Sequence, residues 1–137
     1  MILTLSDRNK DVFSKDTLNL ISNLTKELNE IDSVESVTSL TNIPLVTSAQ
    51  KPLTELINNI PNILSADVDK NLAKEEILSS PIYKDLVISS DAKTTAMQII
   101  IKENSKFNKT VAVIWKNFIN FLKVLYLYHF GLFYPHF

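Results

Sequence analysis

A chain of 137 residues is long enough for one domain with a buried core. Apolar residues at 45% against 21% charged exclude both a disordered segment and a polytopic membrane protein. Lys and Arg number 14 against 15 Asp and Glu, so no net field draws in nucleic acid, and the lack of cysteine excludes disulfides, thiolate metal sites and thiol nucleophiles.

Ile2, Leu3 and Leu5 predict a short strand ending near Asp7, followed by a polar turn to Asp11. The start has neither the basic residues nor the long apolar stretch of a signal peptide. Ser14 is placed to cap a helix and Asp16 to face its dipole. Leu18, Ile21, Leu24, Leu28 and Ile31 recur at spacings of three and four, which predicts an amphipathic helix over roughly Lys15 to Ile31. Val34 to Ile43, rich in Val, Thr and Ser, reads as a strand limited by Pro44. Strand, helix and strand form a βαβ-like unit that needs a sheet to complete it.

Pro52 and Pro61 bracket Leu53, Leu56, Ile57 and Ile60, a brief helix or ordered loop. A second helix is expected over about Asp69 to Leu78, with Leu72, Ala73, Ile77 and Leu78 inward, and Pro81 beyond it. Leu86–Ile88 and Thr94–Ile101 then predict a β-hairpin turning at Ser89 to Lys93, with Thr95, Met97, Ile99 and Ile101 on the core face. The order fits an α+β fold with helices packed on one face of a small sheet.

Four of these parts, in this order, resemble the first extracytoplasmic loop of resistance-nodulation-division exporters, including the branch of the mycobacterial lipid exporters. They are the strand ending near Asp7, the Val-Phe-Ser helix start at Val12 to Ser14, the Val-x-x-Val-x-Ser-Leu-Thr-Asn run from Val34 to Asn42, and the Ser-Pro-x-Tyr hairpin entry from Ser80 to Tyr83. No single part is specific; order and spacing carry the likeness, which spans roughly Ile2 to Glu103. It implies a porter-type, ferredoxin-like subdomain on the periplasmic side of the inner membrane. The implied partners are the remainder of a transporter, its transmembrane helices and second porter loop, and the implied cargo is lipid or another hydrophobic substrate. The family's proton-relay carboxylates sit in transmembrane helices that this sequence lacks, so no relay residue carries over and the chain alone is not expected to transport. The resemblance also leads to the expectation of a fragment that begins at an internal methionine. The rival reading is a self-contained ferredoxin-like binding or regulatory module.

The tail differs from the rest. Nine of the 12 aromatic residues, both histidines and the one glycine lie between Trp115 and Phe137, which divides the chain into a porter-like domain over 1–108 and an apolar, aromatic tail over 109–137. The tail reads as a frameshifted end, as a helix making membrane contact through Val111–Phe137, or as a packed C-terminal helix. Lys116, Asn120 and Lys123 fall on one face, and each lysine would cost about 3 kcal/mol at a bilayer centre, so a helix lying at an interface is easier than one that spans.

The familiar chemistries find little support. His129 and His136 stand seven apart with no nearby carboxylate, too few ligands for a metal. Asp67, Asp69, Glu75 and Glu76 lack the glycine turn and alternating ligands of a calcium loop and read as a solvated helix start. Ser6, Ser14, Ser39, Ser80 and Ser89 have no Gly-x-Ser-x-Gly setting, and the first 128 residues contain no histidine, which argues against a hydrolase triad. One glycine cannot make a phosphate loop or dinucleotide fingerprint. Tyr83 reads as a packing residue of the hairpin. The sequence therefore offers no catalytic, cofactor-binding or metal residue, no cofactor and no nucleic-acid partner.

Overall fold

The computed structural model describes residues 1–7, 10–103 and 106–130, and the side chains of all of these but 53 and 122–130. Three strands form one sheet: β1 (Ile2–Ser6), β2 (Val34–Thr38) and β3 (Thr94–Ile101). Their spatial order is β1-β3-β2, with both outer strands antiparallel to β3. β1 and β2 are therefore parallel to each other and separated by β3, the arrangement of a split βαβ unit. The crossover between them is α1 (Lys15–Asn29).

Local chemistry accounts for the bounds of α1. Ser14 is extended (φ −60°, ψ 146°), and its hydroxyl accepts from the Thr17 amide at 3.3 Å, satisfying one of the free donors of the first turn. The helix ends at Asn29, two residues before the expected Ile31, yet Ile31 stays buried. Leu18, Ile21, Leu24 and Leu28 are buried and share one core cluster with Leu3, Val37, Met97 and Ile99 of the sheet. Thr95, Met97 and Ile99 point into that core, while Gln98 and Ile100 are exposed, as alternation along β3 requires.

The segment between β2 and β3 carries two helices, α2 (Leu53–Leu56) and α3 (Lys70–Ser79). The first is a single turn: Leu56 is buried but Ile57 is 73% exposed, so the apolar run bracketed by prolines is only half used. In α3 the Asp69 carboxylate caps the start, accepting from the Asn71 and Leu72 amides at 2.8 and 3.1 Å. Ala73 and Ile77 face inward as expected; Leu72, expected inward, is 37% exposed because it lies one residue off that line.

The expected hairpin is corrected on one side. Leu86–Ile88 is not a strand: Ile88 makes one isolated bridge to Thr95. The Tyr83 carbonyl gathers the amides of Leu86, Val87 and Ile88 into tight turns, and Asp85 takes a left-handed φ of 64°. Two backbone bonds, from the Ala96 amide to Val87 O (2.8 Å) and from the Ser89 amide to Thr94 O (2.9 Å), tie this loop to β3, joined by side-chain bonds from the Thr95 hydroxyl to Val87 O (2.8 Å) and from the Thr94 amide to Ser89 Oγ (3.0 Å). It extends the line of β2 along one side of β3, whose other side pairs with β1. The strand expected over Val34–Ile43 likewise stops at Thr38.

The last element, α4 (Phe107–Phe130), packs against α1. Its Ile114 and Thr110 are buried, and Phe118 and Phe121 pack against the same core. Among the described residues no helix is long and apolar enough to cross a membrane.

Candidate functional site

Polar side chains concentrate at the joint between α1 and β2, where the Val34–Asn42 motif lies. Asn29, on the last turn of α1, accepts from the Val37 amide through Oδ1 at 3.1 Å and donates to the Thr25 carbonyl at 3.0 Å. Asn42 donates to the Val37 carbonyl at 2.7 Å and accepts from the Ser39 amide at 2.7 Å. The outer edge of β2 is thus closed by two amide side chains. Beneath it the Thr25 hydroxyl donates to the Ile21 carbonyl at 2.7 Å and lies 2.8 Å from Ser39 Oγ, itself 3.1 Å from Thr41 Oγ1. All three hydroxyls are buried, and each has a partner. The Ser-Leu-Thr-Asn run is joinery between helix and strand, with Leu40 as its buried plug.

A second polar knot ties the long 39–93 excursion together. The Glu76 carboxylate accepts from the amides of Val46, Thr47 and Ser48 at 2.9, 3.1 and 2.8 Å. Partial burial acts to raise its pKa, but the hydrogen bonds from the amides of Ser48, Thr47 and Val46 prevail and hold it below the ordinary glutamate value. Tyr83 donates to the Pro44 carbonyl at 3.1 Å and packs on the core. Its pKa is raised by partial burial, then by the nearby charge of Glu76. Lys74 pairs with Asp11 and stands 5.3 Å from the centre of the Phe13 ring, linking α3 to the segment before α1.

Two open grooves flank the seam of α1 and α4. One, of about 570 Å³, is lined by Glu27, Glu30, Ile31, Asp32, Ser33, Val113 and Asn117. The other, of about 470 Å³, is lined by Asn23, Lys26, Glu27, Asn120 and Phe121. Among the described residues no group of three or more His, Asp or Glu is arranged to hold a metal ion.

The structure scatters the residues singled out from sequence. Asp67 pairs with Lys51, which draws its pKa down; Asp69 caps α3; Glu76 holds the 46–48 loop; and Glu75 faces solvent. Ser6 bonds Thr94 Oγ1 at 2.9 Å, Ser14 caps α1, the Ser80 hydroxyl accepts from the Ile82 amide at 3.2 Å, and Ser89 donates to Asp91 at 2.6 Å. The His129 side chain and all of His136 lie outside the described residues. Sequence reasoning missed the roles of Asn29 and Asn42, and it took Glu76 only as part of a solvated helix start. An asparagine in a helix's last turn and another just after a strand were the available signals for the first two. No protein-family model, curated protein or solved structure matches the chain.

Proposed function

We propose that this chain is a porter-type extracytoplasmic subdomain of the resistance-nodulation-division kind, serving as part of an exporter of lipids or other hydrophobic substrates. Its partners are then the transmembrane helices and second porter loop of that exporter, on the periplasmic side of the inner membrane. The observation that carries the reading is the split βαβ order β1-β3-β2, with a long excursion between β2 and β3. The residues behind the resemblance support it from within this fold: Val34–Asn42 forms the sealed α1–β2 joint, and Tyr83 fastens the excursion to Pro44. The role is mechanical and substrate-guiding, with no bond-making step assigned to any residue.

A self-contained ferredoxin-like binding module is the second reading. It is favoured by one observation, the entry of Ile114 of α4 into the common core. The nucleotide sequence on either side of the coding region separates the two. Transmembrane helices and a second porter loop encoded there, in the same or a shifted frame, are the expected result. Unrelated genes on both sides would overturn the exporter reading and leave the module.

A further inference from the structure

We infer that α4 docks on an anionic lipid surface through its outer face, with Lys109 and Lys116 meeting the headgroups and Trp115 and Ile119 entering the boundary between headgroups and acyl chains. The inference is independent of the exporter reading. It starts from a division of charge: after Glu103 the sequence holds Lys106, Lys109, Lys116 and Lys123 and no acidic residue, so residues 1–103 carry a formal −5 and the remainder +4. A nearly neutral chain is therefore strongly dipolar, with its positive end on one helix.

The helix presents that charge in an ordered way. Thr110 and Ile114 turn inward. Lys109 and Lys116, seven residues apart, lie two turns along one exposed line. Beside that line Trp115 and Ile119, one turn apart, are 47% and 46% exposed. The carboxylates of Glu27, Glu30 and Asp32 line the groove on its Val113–Asn117 side. At 100° per residue that side is turned away from Trp115 and Ile119, so a negatively charged surface approaching the tryptophan flank meets Lys109 and Lys116 on the side away from those three carboxylates.

The pairing of lysine with tryptophan selects lipid over a protein partner. Lysine is depleted at protein interfaces, whereas at a bilayer its stem covers apolar surface while the ammonium stays with the phosphates. Tryptophan sits at the same depth, its ring in the apolar boundary and its N–H among polar headgroups.

Trp115 is the single tryptophan of the chain, so its emission reports on this face directly. The full chain is titrated with vesicles of phosphatidylglycerol mixed with phosphatidylcholine, and with vesicles of phosphatidylcholine alone. Expected with the anionic vesicles are a shift of emission to shorter wavelength, quenching by brominated acyl chains, and co-sedimentation. The double variant Lys109→Glu/Lys116→Glu, altered at two exposed positions, should keep its fold by circular dichroism and lose affinity by roughly tenfold or more. Added salt should weaken the native protein in the same direction. Equal binding to both vesicle types, or an unchanged titration in the double variant, would overturn the inference. So would an emission shift that follows protein concentration and ignores lipid, since a second copy of the chain would then cover the face.

Discussion

Truncating Ile114 tests whether the start of the aromatic tail belongs to the fold. Its side chain is fully buried among the residues of the common core, whereas Ile119, five residues on along the same helix, is 46% exposed. Ile114→Ala removes three buried carbons, a transfer loss of about 2.4 kcal/mol at about 0.8 kcal/mol per carbon. A cavity left by incomplete collapse raises the expected loss to roughly 3–4 kcal/mol, within the usual range of about 2–5. Ile119→Ala should stay within about 0.5 kcal/mol of the native protein, since it gives up half-exposed area and gains helix propensity. Urea unfolding, followed by far-ultraviolet circular dichroism and by Trp115 emission, reads both. The midpoint should fall sharply for the first variant alone, with the two probes coincident and the slope unchanged. Equal midpoints in the two variants would refute the reasoning, placing α4 outside the core and ending the domain near Asn108, where the composition changes.

Leu24→Ala, at a fully buried position of α1, should cost about 2–5 kcal/mol; a loss below 1 kcal/mol on the scale of that range would show that α1 does not seal the sheet. Asn29→Ala leaves the outward Val37 amide to water, so hydrogen exchange at Val37 should quicken, and stability should fall by about 1 kcal/mol; unaltered exchange there would mean that the side chain does not close the edge. Amide exchange in the native protein should be slowest at Met97 and Ile99 of the central strand and fast at Ile2, Thr4 and Ser6, whose amides alternate with those paired to β3; rapid exchange at Met97 and Ile99 would remove the sheet. The folded pKa of Glu76 is depressed, so its stabilising contribution is complete above the ordinary glutamate value and is lost as pH falls through the lower folded value. Acid unfolding should accordingly be shallower in Glu76→Gln, and an identical pH profile would show that the three amides do not favour the charged form.

Where burial follows a repeating pattern, the sequence was a good guide. The α1 stripe and the alternation from Thr95 to Ile99 appear as expected, because one buried face forces one period. What it concealed was decided by contacts distant along the chain. Leu86–Ile88 has the composition of a strand, yet three of its amides are already directed at the Tyr83 carbonyl, and β2 and β1 occupy the rest of the two sides of β3. Leu72 looks like an inward residue until Ala73 and Ile77 fix the rotation of α3. The joint at Asn29 and Asn42 was invisible for the same reason: an amide side chain carries no periodic signal, and its partner is set only once α1 lies against β2. The aromatic tail reads as a break in composition, and composition does not disclose that Ile114 points into the core while Trp115 points out.

The central position of β3 fixes the order of events during synthesis. Neither β1 nor β2 can pair until residues 94–101 exist, and Ser6 meets Thr94 across 88 residues of chain. At about 5–20 residues per second, the first strand waits roughly 4–18 s for its neighbour. During that interval α1 can form but has no sheet to cover, so its apolar stripe is available to chaperones or to other nascent chains. Ribosomes stalled anywhere before Ile101 should therefore hold a protease-sensitive chain, with protection arriving abruptly as β3 clears the exit tunnel.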